Sequence, residues 1–245
     1  MLEPDPLTAG YQRWQKLSFL HWRVPTVELQ KLIPPGLTVE EFDGSAWLAL
    51  IPFSMERIRP WWSPAVPGVS WFLETNVRTY VVDRRGVRGV WFFSLDANKR
   101  MAVMFGRTFW HLPYRISSMS LGVRSNSADL LQVDYRGARP GKPAAGYSVT
   151  VTVNTQAAPA VSLPGSLSHF LLERYILFAC TRRGKLMAGQ VHHEPYQIRT
   201  VKSCHSQQSL TSIEAGTVLT REPDHQSYCD GVDVRVSPLR LVSEA

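Results

Sequence analysis

Apolar and polar positions alternate along most of this chain. From Glu74 to Val82 the side chains Glu74, Asn76, Arg78 and Tyr80 interleave with Thr75, Val77, Thr79 and Val81. That two-residue period is the signature of an extended strand. Asp83-Arg84-Arg85-Gly86 supplies a turn, and Val87 to Leu95 reads as the returning strand of a hairpin. Further strands are predicted over 46–55, 101–108, 115–123, 130–135, 147–154, 185–192 and 232–241. Pro52 lacks an N–H, so its segment is expected at a sheet edge or a bulge. Val27 to Ile33 has helical spacing and stops at Pro34-Pro35-Gly36. Residues 59–70 form a stiff, Pro-rich loop bearing Trp61 and Trp62, read as a lid or pocket wall.

One segment departs from the β pattern. Ser166 is a suitable N-cap, and apolar residues from Leu167 to about Cys180 cover nearly every face of a helix, which predicts a buried one. Glu173 and Arg174 within it should be paired or hydrogen-bonded, because an unpartnered buried charge is costly. The expected fold class is mostly β: a curved antiparallel sheet or barrel around one buried helix. No linker interrupts residues 1–245, so a single domain is expected, with 1–15 as a loosely held arm.

Composition narrows the function classes. Of 245 residues 44% are hydrophobic and 19% charged, enough apolar mass to exclude whole-chain disorder. The formal charge of +7 comes from scattered arginines without a basic block or stripe, a pattern of solubility rather than nucleic-acid binding. Cys180, Cys204 and Cys229 form neither a CxxC motif nor an even framework, so free thiols are expected. The N-terminus is acidic and Pro-rich, unlike a signal peptide, and no apolar run reaches the ~18–20 residues of a membrane span. A soluble cytoplasmic protein follows, compatible with a homo-oligomer.

Candidate chemistry centres on the row Glu74, Asn76, Arg78 and Tyr80. The row either faces solvent or lines a pocket in which carboxylate, amide, guanidinium and phenol converge; periodicity alone leaves both open. By the same parity Ser94 and Asp96 share one face of the partner strand, and Trp91, Phe93 and Leu95 the other. Adjacent His192 and His193 point to opposite faces of a strand, and His169 with Glu173 lacks a third ligand, so no metal is expected. A GxSxG elbow and phosphate-cradling glycine loops are absent, and no cofactor is expected.

Several segments, Phe19-Leu20-His21-Trp22-Arg23-Val24-Pro25, Leu32-Ile33-Pro34-Pro35-Gly36-Leu37, the stretch from Phe72 to Val81, and Phe92-Phe93-Ser94-Leu95-Asp96-Ala97, resemble a YqjF-like family of uncharacterised bacterial proteins. Phe170-Leu171-Leu172-Glu173-Arg174-Tyr175, His192-His193-Glu194-Pro195 and Gly231-Val232-Asp233-Val234 are similar to its second half. The resemblance spans about 17–242 and implies an acetoacetate-decarboxylase-like fold. Gly106-Arg107-Thr108-Phe109-Trp110-His111-Leu112-Pro113-Tyr114-Arg115 is also similar to the decarboxylase stretch GRExWGxPKK. There the first lysine forms a Schiff base and the second lowers its pKa. Here Tyr114 and Arg115 occupy the two places, and neither offers a neutral primary amine. Lys99, Lys142, Lys185 and Lys202 are read as surface residues. Glu74 falls where the decarboxylase's pocket glutamate is expected.

The reading that follows is a small-molecule-binding protein or enzyme acting on a small anionic or carbonyl compound without Schiff-base chemistry. Glu74 is the candidate acid/base and Tyr114 the candidate proton donor. Asn76, Arg78, Tyr80, Arg107 and Arg115 are the candidate ligand-binding residues, with Tyr80, Trp91 and Phe109 as apolar wall. The competing class is a non-catalytic ligand sensor or an interaction module using Trp61 and Trp62.

Overall fold

The alternating segments pair into two sheets in the computed structural model, which describes residues 7–127 and 129–242, without the side chains of 126, 127 and 142–144. The first half runs β1 (Gly10–Val24), α1 (Thr26–Gln30), β2 (Leu37–Val39), β3 (Ala46–Pro60), β4 (Phe72–Asp83), β5 (Arg88–Ala97), α2 (Arg100–Phe109) and β6 (Tyr114–Ile116). Then come β7 (Ser118–Ser127), β8 (Leu130–Arg139), β9 (Lys142–Asn154), α3 (Leu167–Leu172), β10 (Ile176–Cys180) and β11 (Leu186–His192). The chain closes with β12 (Ile198–Arg199), β13 (Val201–Gln208), α4 (Leu210–Ala215), β14 (His225–Val236) and β15 (Arg240–Leu241).

The larger sheet has the order β12-β14-β1-β3-β4-β5-β10-β11-β15, and it curves until β11 meets β14 again at Val191↔Val236 and His192↔Arg235. The smaller sheet, β13-β9-β8-β7, packs against its outer side. Two apolar clusters result. Leu17, Phe19, Ala49, Tyr80, Leu95 and Tyr114 meet Phe170 and Leu171 of α3 inside the curve. Leu20, Trp22, Val77 and Val81 meet Tyr135, Val149 and Val151 between the sheets. Strand β4 separates the two clusters, and every residue from Glu74 to Val81 is buried.

Three expectations need correcting. Residues 10–15 are not a loose arm but the start of β1, paired with β14 on one side and β3 on the other; Met1–Pro6 lie outside the described residues. Residues 101–108 form helix α2 rather than a strand. Val103 and Gly106, three apart, are its buried positions, while Met101, Met104, Phe105 and Phe109 face outward. The long helix is the short α3 followed by strand β10. Ser166 caps it as expected, accepting from the His169 N–H at 3.2 Å. The turn at Glu173 (φ −84, ψ 72) ends it, and Ile176–Cys180 then pairs with β5 and β11. A short, uniformly apolar run fits a buried strand as well as a buried helix, and its aromatic and β-branched residues favour the strand. Of the two places expected for Pro52, edge or bulge, the structure shows the bulge, on a central strand. The β1–β3 register shifts between Gln15 and Leu20, so the missing N–H falls opposite a bulge.

The short helix still packs inside the curve, and the two charges that follow it are partnered. Arg174 donates to Glu40 Oε2 at 2.7 Å and to the Phe170 carbonyl at 2.6 Å. Glu173 accepts from the Tyr196 N–H at 3.1 Å and from the Tyr175 hydroxyl. Among the described residues no helix is long and apolar enough to cross a membrane, and the three cysteines are free.

Candidate functional site

Strand parity sends Glu74, Asn76, Arg78 and Tyr80 into the interior of the large sheet, so the solvent-facing alternative fails. Their alternates face the small sheet, where the Thr75 hydroxyl donates to Tyr147 Oη at 2.6 Å. On β5 the parity expectation fails at two residues. Glu74 and Asn76 oppose Ala97 and Leu95, but a register shift beside Phe93 puts Phe92 opposite Arg78. This β-bulge sends Trp91 and Phe93 to the side of Ser94 and Asp96, away from Leu95. On that side Arg139 holds Asp96 with bonds of 2.9 and 2.7 Å, donates to Ser94 Oγ at 3.1 Å and pairs with Glu214. Ser94 and Asp96 therefore brace the back of the site.

The first interior feature is a carboxyl–phenol pair. Short strand β6 runs parallel to β5 and points Tyr114 inward, where its hydroxyl donates to Glu74 Oε2 at 2.9 Å. Helix α2 covers the ring at Gly106, where a Cβ would collide with the ring carbons. Arg107 Nε donates to the Tyr114 carbonyl at 2.8 Å. Burial raises the Glu74 pKa from 4.5 to about 8, against the lowering effect of the Tyr114 bond. Burial and the adjacent carboxylate push Tyr114 well above 10.

The second feature surrounds Arg78. Its Nη2 donates to the Leu171 carbonyl at 3.3 Å, while its Nε has no partner among the described residues. The same holds for Asn76 Oδ1, His21 Nε2 and His193 Nε2, all from buried residues, while the Tyr80 hydroxyl lies against the Arg78 guanidinium. Arg78 lowers the proton affinity of both histidines, after the larger effect of burial. His193 falls to about 4, and its ring packs on Tyr196 and Tyr175 at centroid distances of 4.4 and 4.8 Å. His21 lies well below 6.5, and its Nδ1 is 3.2 Å from His225 Nδ1. His225, lowered by burial to about 4, in turn lies 2.9 Å from Ser168 Oγ through Nε2. A hydroxyl and two neutral imidazoles thus connect half-buried Ser168 to the interior.

Not every candidate joins this site. Arg107 is exposed and touches only the Tyr114 backbone, and Arg115 is exposed, 3.8 Å from Glu214 on the outer side. Parity explains Arg115, since it follows inward-facing Tyr114. Trp91 packs toward the small sheet and Phe109 is exposed, so of the proposed wall Tyr80 alone faces inward. Lys185 and Lys202 are exposed and Lys99 is half-buried at the head of α2; the Lys142 side chain lies outside the described residues. No cluster of metal-ligating residues occurs among the described residues. His21, His193 and Tyr196 were missed. The signal for His21 was its place in the inward alternation Leu17, Phe19, His21.

Two clefts mark the surface. One of ≈ 670 Å³ is lined by Arg57, Arg59 and the exposed Trp61, Trp62 and Trp71. The other, of ≈ 500 Å³, is lined by Tyr11, Arg13, Arg57, Arg59, Arg235 and His193, among others.

A model of the DUF2071 family, described as "Uncharacterized conserved protein (COG2071)", matches residues 11–233. The chain is 32% identical over 237 residues to "Uncharacterized protein YqjF" of Bacillus subtilis (strain 168), covering 97% of this chain and 94% of that protein. Among solved structures it is similar to an acetoacetate decarboxylase-like enzyme from Sphingomonas wittichii RW1, with TM-score 0.67, 14% identity and 96% and 93% of the two chains covered. The acetoacetate decarboxylase from Legionella pneumophila gives TM-score 0.66 at 14% identity, covering 99% and 92%. The enduracididine biosynthesis enzyme MppR complexed with pyruvate gives 0.65 at 15% identity, covering 99% and 92%. At these identities the likeness is one of fold.

Proposed function

This chain belongs to the DUF2071 family, and we propose that it binds a small anionic or carbonyl compound inside the curve of its large sheet and acts on it by proton transfer. The observation that carries the proposal is the group of unpartnered polar atoms around buried Arg78. Leaving several such atoms buried costs about 1–3 kcal/mol each, which a ligand that bonds to them offsets. The MppR structure holds pyruvate on a similar fold, a ligand of the proposed size and charge.

In this reading Arg78 anchors the anion by charge-assisted bonds, with Asn76 and Tyr80 beside it. Glu74, at about 8, exchanges a proton near neutral pH, and Tyr114 holds its carboxyl in place. Arg107 acts only by bracing the Tyr114 backbone. Imine chemistry is not part of the proposal, because a phenol stands at the place of the decarboxylase lysine. A titration of thermal stability with small carboxylates tests it. Stabilisation by at least one of them, lost in Arg78→Gln, is expected; no stabilisation by any, or an unchanged response in the variant, overturns it.

The Trp61, Trp62 and Trp71 cleft supports a second reading, a non-catalytic interaction module. Trp61 and Trp62 are 64% and 71% exposed, beside Arg57 and Arg59. Ligand-induced quenching of tryptophan fluorescence that survives Arg78→Gln and disappears in a Trp61→Ala/Trp62→Ala variant would favour this reading.

A further inference from the structure

Neighbours dictate the tautomer of His193. Its Nδ1 lies 2.7 Å from the Glu194 carbonyl oxygen. A carbonyl only accepts, so Nδ1 carries the proton and, on a neutral ring, Nε2 is a bare lone pair. The residue is 4% exposed, and Nε2 has no partner among the described residues. Arg78 offers the opposite: a buried cation with an unpartnered Nε–H, close enough for its charge to act on His193.

A ligand that satisfies both must be an anion that also carries a hydrogen-bond donor. A keto acid has acceptors alone; it would answer Arg78 and leave the imidazole lone pair orphaned. An amino acid carries a donor, but its ammonium would sit in the field of the buried Arg78 guanidinium. A hydroxy acid meets both demands without adding a cation.

We infer that the interior site takes a small hydroxycarboxylate, its carboxylate held by Arg78 and its hydroxyl donating to His193 Nε2. The inference rests on the Arg78 interior being the ligand site and narrows what that site accepts. A surface cleft of matching sign borders one of these two groups. His193 also lines the ≈ 500 Å³ cleft, together with Arg13, Arg57, Arg59 and Arg235. Asp233 neutralises Arg13 there at 2.6 Å, and Glu194 adds a further carboxylate, yet the guanidiniums remain in excess. Such a cleft concentrates small anions at its mouth.

Calorimetric titration of matched pairs near neutral pH tests the inference: lactate against pyruvate, and 3-hydroxybutyrate against acetoacetate. In at least one pair the hydroxy member should bind about tenfold tighter or more, as expected when a site's buried acceptor is answered or left bare. His193→Phe keeps a ring against Tyr196 and Tyr175 but has no acceptor. It should erase that preference while leaving the affinity for the keto member within about threefold. Equal or tighter binding of both keto members to the wild type, still dependent on Arg78, overturns the hydroxycarboxylate assignment and leaves the wider reading standing. Binding of neither class, or binding indifferent to Arg78→Gln, overturns both. Should His193→Phe fail to fold, the ¹⁵N resonance of His193 Nε2 in the wild type decides. A shift with lactate or 3-hydroxybutyrate and none with their keto partners supports the inference, and equal shifts overturn it.

Discussion

Tyr114 and Glu74, forty residues apart, meet in the interior through a 2.9 Å bond from phenol to carboxylate. The pair ties stability to pH. Glu74 titrates near 8 when folded and near 4.5 when unfolded, so between these values the folded state binds the extra proton. Its contribution is complete below pH 4.5 and is lost as pH rises through 8, at up to about 1.4 kcal/mol per pH unit. His193 and His225 act in the other direction, losing stability as pH falls from 6.5 toward 4. Comparing wild type with Glu74→Gln cancels the histidines. Urea unfolding should show the wild type losing stability relative to the variant between pH 5 and pH 8; a parallel pH dependence would contradict the buried proton.

Gly106 and Tyr114 are sterically coupled, since a Cβ at 106 would overlap the ring. Gly106→Ala should cost about 1–3 kcal/mol, the usual range for overpacking a filled site. Tyr114→Ala also destabilises, but it opens the space a methyl needs. The double variant should therefore be more stable than the sum of the two losses predicts, by at least about 0.5 kcal/mol in a double-mutant cycle. Strict additivity would mean that α2 shifts freely over the ring.

Arg139 closes the back of the site on Asp96 and Glu214 with little solvent, its side chain 8% exposed and that of Asp96 1%. Arg139→Met leaves two carboxylates without their cation and should destabilise by about 3–5 kcal/mol. Asp96→Asn/Glu214→Gln/Arg139→Met should recover much of that loss. Chemical denaturation of the two variants provides the comparison, and a single-variant cost below about 1 kcal/mol would show that the carboxylates find water.

Borohydride added with acetoacetate should leave the mass of the protein unchanged. An iminium needs a neutral primary amine at the reacting carbon, and Tyr114 supplies a phenol. A reduced adduct mapped by peptide mass spectrometry to an interior lysine would refute the reading in which Glu74 exchanges the proton and no imine forms.

The period-two row on β4 was legible because burial on opposite faces imposes alternation, and the alternation survives in the residue types. The Ser166 cap was legible because it is local. What lay hidden has a common cause: the information is not local. Residues 167–180 are largely apolar, and pairing of Ile176–Cys180 with β11, and of Leu177 and Phe178 with Val90 and Trp91 of β5, selects a strand for their second half. Phe93 changes face because of a bulge, which alternation cannot show. His193 feels the charge of Arg78 from more than a hundred residues away along the chain, so no spacing motif announces it. The family resemblance pointed to Glu74 and Tyr114, but parity placed Arg115 outside.

Strand β4 is covered by the small sheet on one side and by α2, α3 and the interior on the other. Its amides from Glu74 to Val81 should therefore exchange with deuterium only when the whole protein unfolds. The polar row is anchored to the part of the molecule that opens last. In the proposed reading a ligand therefore meets a β4 that does not yield, and its entry would have to be made from the opposite side, where α2, α3 and the segment around His193 lie. A row of charges anchored on such a strand would keep its spacing whatever occupies the interior.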